Sequence, residues 1–153
     1  MSTRSCDPAA CGAAGRGRRP GPAAAWRQLT AAPHRLLFFL GMVQLLAAMA
    51  WWLAMVLGRY SGLYTLPALA LPPGWVHGYL MLYGTLPFFV FGFLMTAMPN
   101  WLGEGRVPRP AYLACAGLMA AGVAAFYAAA VLAPAAVALA VALQLAGWAA
   151  GWL

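Results

Sequence analysis

The chain has 153 residues, of which 65% are hydrophobic and 7% are charged. A soluble domain is about 45–50% apolar and about 25% charged, so this composition excludes an ordinary water-soluble fold. The net charge of +7 comes from arginines in the N-terminal segment and at the ends of hydrophobic runs. That distribution is typical of membrane topology signals and not of a nucleic-acid-binding face. We therefore expect a lipid bilayer as the partner of this surface, and no nucleic acid.

The N-terminal segment is rich in alanine, glycine, proline and arginine. It has too few large apolar side chains to offset the conformational entropy lost on ordering. We predict a disordered cytoplasmic tail over residues 1–32 and a transmembrane helical domain over residues 33–153. The cysteines, Cys6, Cys11 and Cys115, form no CxxC pair, which argues against a disulfide framework or a zinc site.

Four hydrophobic runs follow the tail, and each predicts a transmembrane helix. The first extends for about 33 Å at 1.5 Å per residue, which matches one crossing of a hydrocarbon core of about 30 Å. The fourth reaches the last residue without a polar anchor, so we expect the chain to be a fragment of a longer protein. The predicted fold is all-α, a polytopic transmembrane bundle, with helices over about residues 36–57, 75–98, 111–132 and 135–153.

The second run contains residues that shape a helix. Pro87 lacks the N–H that would bond the carbonyl of Tyr83, so we predict a kink there. Small residues that would let another helix approach lie roughly on one face: Gly78, Thr85, Gly92 and Thr96. Gly84 lies two turns from His77 on the same face and would leave room either for a flat macrocycle or for a neighbouring helix.

Arginine counts predict the orientation of the bundle. The segment through Arg35 has six arginines, the 99–110 loop has two and the 58–74 loop has one. The positive-inside rule then places the N-terminus and the 99–110 loop in the cytoplasm, and the 58–74 loop outside.

The predicted membrane region contains no Asp, Glu, Lys or Arg. Proton pumps and ion-coupled transporters usually need such groups at depth, so this absence weakens a transporter interpretation. The chain also has no paired carboxylates, no Ser/His/Asp set and no phosphate-binding glycine loop. We expect no enzyme and assign no catalytic residue.

The two histidines are the candidate ligands. Imidazole is the usual protein ligand for heme iron or copper, and the alternative is an interfacial histidine bonded to water or a lipid headgroup. His34 precedes the first helix and His77 lies one turn inside the second, so antiparallel helices place them near opposite surfaces. They cannot bind one heme within a single copy, and a further ligand would have to come from other helices or subunits. A piece of a heme-bearing respiratory enzyme would need a histidine pair at one depth.

Three segments resemble the NnrS family of bacterial inner-membrane proteins: 33–41 (PHRLLFFLG), 77–84 (HGYLMLYG) and 91–103 (FGFLMTAMPNWLG). The resemblance implies a longer multi-pass protein of the cytoplasmic membrane that contains heme and copper. It also implies a link to nitric oxide and nitrosative stress in denitrifying and related bacteria.

By the same resemblance, His77 matches the first histidine of the family's second-helix motif, commonly His-Ala-His-Glu-Met. Here Tyr79 and Leu80 stand where that motif has its second histidine and its glutamate. The resemblance thus implies His77 as the ligand of heme or copper. The resulting hypothesis is an NnrS-like membrane protein of the nitric oxide response. The alternative is a cofactor-free membrane scaffold or a fragment of a transport component, which predicts a colourless protein and a neutral His77→Ala variant.

Overall fold

A computed structural model describes residues 21–62, 64, 69, 71–103, 105–132 and 136–152. The disorder predicted for residues 1–20 lies outside this part of the chain. The described residues form no β-strand, and the predicted all-α fold class is confirmed. Their five helices are α1 (Pro22–Leu29), α2 (Pro33–Ser61), α3 (Pro73–Leu102), α4 (Arg109–Leu132) and α5 (Ala136–Trp152).

Three of the helices, α2, α3 and α4, are long and apolar enough to cross a membrane. The fourth predicted span, α5, has 17 residues and extends for about 25 Å at 1.5 Å per residue, slightly less than a hydrocarbon core. By contrast, α2 and α3 are longer than their hydrophobic runs. Each begins with a proline, whose missing N–H is tolerated in a first helical turn. Each ends at a glycine in the left-handed conformation, Gly62 at φ 65° and Gly103 at φ 70°.

Helix α1 lies within the segment for which disorder was predicted, so that prediction is wrong for residues 22–29. Pro22 begins the helix, and Thr30, directly after it, is 1% exposed. Tyr112 in α4 donates a hydrogen bond to the Thr30 carbonyl at 2.6 Å, and the Arg109 guanidinium donates to its hydroxyl. The order of this segment therefore depends on α4, which local composition does not reveal.

Helix α3 departs from α-helical geometry before Pro87. Residues Leu80–Thr85 form a π-helical segment, in which the Leu86 N–H bonds the Met81 carbonyl. The disruption expected from the proline thus takes the form of a π-helix one turn earlier. The Tyr83 carbonyl, which Pro87 cannot bond, accepts a hydrogen bond of 2.9 Å from the side-chain amide of Gln144 in α5.

The helices pack as two antiparallel pairs, α2 with α3 and α4 with α5. In the first pair glycines face aromatic rings: a Cβ on Gly92 would lie 2.7 Å from the Phe38 ring. In the second pair glycines face backbone: a Cβ on Gly122 would lie 2.8 Å from the backbone nitrogen of Gln144. The side chains buried between the pairs include Leu37, Leu80, Phe88, Cys115 and Met119.

Candidate functional site

His77 lies in the first turns of α3, facing the second half of α2. Its ring stacks on the Trp52 ring, with centroids 4.6 Å apart and planes 20° from parallel. Its Nδ1 is buried and has no hydrogen-bond partner among the described residues. A buried polar atom without a partner costs about 1–3 kcal/mol, so a water, an ion or a residue outside the described ranges that bonds this nitrogen would stabilise the structure.

The neighbouring positions of the same turn are used for packing. Tyr79 stacks on Phe126 of α4, with ring centroids 3.8 Å apart. Leu80 is completely buried in the core. By the resemblance described above, these are the positions of the motif's second histidine and glutamate. Here Tyr79 joins α3 to α4 and Leu80 belongs to the buried core. In the described part of the chain no three His, Cys, Asp or Glu side chains come together as a metal site. If His77 binds a metal, the remaining ligands come from outside these residues.

His34 lies at the other end of the α2–α3 pair. Its Nδ1 is 3.3 Å from the Thr96 hydroxyl, which itself donates to the Gly92 carbonyl at 2.8 Å. Because the Thr96 hydroxyl hydrogen is donated to the Gly92 carbonyl, the His34 Nδ1–H is the donor in the bond between His34 and Thr96. His34 and Trp52, the residue that contacts His77, are about 27 Å apart along α2 at 1.5 Å per residue. The two imidazoles thus lie at opposite ends of the bundle, as the sequence predicted.

Gly84 lies against two neighbouring helices. A Cβ there would be 3.2 Å from the Gln44 amide nitrogen of α2 and 3.5 Å from Val123 of α4. Of the two uses that the sequence left open for this glycine, the close approach of a helix is the one that the structure contains.

Two buried amides were missed by the sequence reasoning. The Gln44 amide is 3.4 Å from the Tyr127 hydroxyl, to which it donates, and the Gln144 amide donates to Tyr83. The Gln144 Oε1 and the Trp148 indole N–H are buried without a partner within the described ranges. The available signal was a single amide in each of two otherwise apolar runs, where polar side chains often join helices.

A second feature, which we call the arginine-lined cavity, lies at the His34 end of the bundle. It has a volume of about 660 Å³ and lies between α1, the start of α2, the end of α3 and the start of α4. Three arginines line it, Arg27, Arg106 and Arg109. The sequence identified these arginines as topology signals, but it did not indicate that they surround one cavity.

The fold and the apolar spans define an all-helical polytopic membrane protein. The sequence profile of the family described as NnrS protein matches residues 28–153, most of the chain. The chain belongs to the NnrS family, as the resemblance in three segments implied. No curated protein and no solved structure matches it.

Proposed function

We propose that this chain is an NnrS-like component of the nitric oxide and nitrosative stress response in the bacterial cytoplasmic membrane. In this proposal His77 is a ligand of heme or copper, and the N-terminus and the α3–α4 loop face the cytoplasm. The observation that carries the ligand assignment is the buried, unpartnered Nδ1 of His77. Membership of the NnrS family supports the wider role.

The surroundings of His77 restrict its imidazole. Stacking on Trp52 fixes the plane of the ring, and the adjacent Val76 is completely buried, which fixes the helix turn that carries it. A ligand held in one orientation loses little entropy when it binds a metal. In this proposal His77 supplies one oriented nitrogen, and a heme iron or copper ion held there would supply the position at which nitric oxide binds. We propose binding rather than catalysis as its role.

The test is an absorption spectrum and a copper determination on the detergent-purified protein, before and after addition of nitric oxide. The wild type should show a heme band that shifts with nitric oxide, or bound copper. His77→Ala should lose that signal. The matched control is His34→Ala, which removes the other histidine at the opposite end of the bundle and should keep the signal.

A colourless and copper-free wild type, shown to be folded by circular dichroism, would overturn the proposal. The alternative is then a cofactor-free scaffold or transport component. The specific observation that favours it is that no three potential ligands meet within the described ranges. A full signal in His77→Ala would also reject the assignment, because the metal would then be held by other residues.

A further inference from the structure

The arginine-lined cavity carries a strong positive charge. Arg27, Arg106 and Arg109 line it together with neutral hydrogen-bonding side chains, among them Thr30 and Asn100. The only acidic residue between α3 and α4 is Glu104, and the only other one in the chain is Asp7, within residues 1–20, which also contain four arginines. Three arginines outnumber one carboxylate, so the cavity keeps a net positive charge. Guanidinium groups bind phosphate oxygens in pairs of hydrogen bonds, so an oxyanion is the ligand class that this lining fits.

Two apolar grooves adjoin the cavity along the second half of α3, and each shares lining residues with it. The first, of about 390 Å³, borders α5 and shares Met95, Pro99, Arg106 and Val107 with the cavity. The second, of about 440 Å³, borders α2 and shares His34, Thr96 and Asn100 with it. Away from the cavity, side chains such as Phe91 and Trp152 line the first groove, and Phe38 and Phe93 line the second. One cationic space therefore borders two hydrophobic grooves.

Tryptophans at this end place the cavity at the level of lipid headgroups. Trp101 is 73% exposed, Trp152 is 71% exposed and Trp26 is 54% exposed. Exposed tryptophan is enriched where hydrocarbon meets water. A ligand that enters the cavity from the membrane would thus present its polar head at the arginines and its hydrocarbon along α3. A free anion would occupy the cavity alone, and both apolar grooves would remain empty.

We propose that the arginine-lined cavity binds the phosphate headgroup of an anionic phospholipid, with its two acyl chains in the two grooves. Basic sites between transmembrane helices bind anionic headgroups in this way. The site is independent of His77, which lies at the other end of the bundle. Because α1 lines one side of the cavity, a bound lipid would stabilise α1. The stability of α1 would then depend on the lipid composition of the surrounding leaflet.

The experiment is lipid binding to the full chain in detergent, measured by native mass spectrometry, with phosphatidylglycerol and phosphatidylcholine of identical acyl chains. A parallel arm measures the melting temperature with each lipid and with inorganic phosphate. Arg106→Gln and Arg27→Gln each remove one positive charge from the cavity. If Arg106→Gln does not fold, Arg27→Gln provides the same test. The matched control is Arg35→Gln, which removes an exposed arginine at the same end whose guanidinium bonds the Gln28 carbonyl and does not line the cavity.

Wild type should bind phosphatidylglycerol at least about tenfold more tightly than phosphatidylcholine, and each cavity variant should reduce that affinity by about fivefold. Arg35→Gln should bind like wild type. Equal binding of the two lipids, or an equal loss in Arg35→Gln, would overturn the proposal. Stabilisation by inorganic phosphate as large as that by phosphatidylglycerol would also overturn it, and would indicate a site for the free anion.

Discussion

Both helix pairs have glycines at their contacts, but the glycines of each pair face different kinds of atoms. Between α2 and α3, Gly41 and Gly92 receive the rings of Phe89 and Phe38. Between α4 and α5, Gly122 and Gly147 lie against backbone atoms as well as side chains: a Cβ on Gly147 would lie 2.7 Å from the Met119 Cγ and 2.9 Å from the Met119 nitrogen. A ring can rotate away from an added methyl group, but a helix backbone moves only if the whole helix moves.

Lipid makes this difference important for stability. Hydrocarbon tails are as apolar as the helix surfaces, so helices associate through close packing and polar contacts rather than through the hydrophobic effect. The α4–α5 contact therefore includes two glycines at which a larger residue would press on helix backbone. The α2–α3 contact depends on aromatic side chains, which can rotate to other conformations. The following predictions separate the two cases.

The largest effect is expected for Gly122→Ala, which places a methyl group against the Gln144 backbone nitrogen and the Ala140 carbonyl, at 2.8 Å and 3.1 Å. Overpacking of this kind costs about 1–3 kcal/mol, and we expect a value near the upper end. The free energy of unfolding can be measured by denaturation in detergent. Buried Cys115 serves as the reporter through its reaction with a maleimide, in a background with Cys6→Ser and Cys11→Ser. A loss smaller than that of Gly92→Ala would contradict the comparison.

An intermediate effect is expected for Gln144→Leu, which removes the donor to the Tyr83 carbonyl. An unsatisfied buried carbonyl costs about 1–3 kcal/mol, and we expect about 2 kcal/mol here. Pro87→Ala supplies the missing backbone N–H, so the double variant should lose less stability than the sum of the two single variants. Strict additivity in this double-mutant cycle would show that the amide does not compensate for the proline.

The smallest effect is expected for Gly92→Ala, at about 1 kcal/mol, because the Phe38 ring can rotate away from the new methyl group. Adding Phe38→Leu should recover most of the loss. The matched control is Gly78→Ala, also in α3, where no atom lies within 4 Å of the added carbon. It should stabilise by about 0.5–1 kcal/mol through helix propensity alone. A loss there would show that an added methyl group destabilises α3 without a steric clash, and the effect of Gly92→Ala could then not be assigned to the Phe38 ring.

The helical architecture could be predicted from sequence because hydropathy and length decide it locally. The bounds of α2 and α3 were underestimated, since prolines and left-handed glycines extend helices beyond their apolar runs. Helix α1 was missed for a different reason: its order depends on Tyr112 and Arg109 in α4. Such contacts join residues far apart in the chain and leave no periodic signal.

The candidate sites divide in the same way. The position of His77 near one end of α3 follows from a single run of sequence, and its separation from His34 follows from antiparallel helices. The stacking of His77 on Trp52 needs the register between two helices, which hydropathy does not give. The arginine-lined cavity forms where α1, α2, α3 and α4 meet. Its positive charge could be predicted from the sequence, but its shape depends on how these four helices pack.

The bond between Gln144 and Tyr83 has a consequence for biogenesis. Helix α3 leaves the ribosome well before α5, so the carbonyl left free by Pro87 enters the membrane before its donor exists. Until α5 inserts, that carbonyl must accept a hydrogen bond from water or from another transient donor. Completion of α3 is therefore tied to the insertion of α5, whose Gln144 is synthesised 61 residues after Tyr83. Among the described helices, assembly thus has an order, in which α5 supplies the hydrogen-bond donor that α3 lacks.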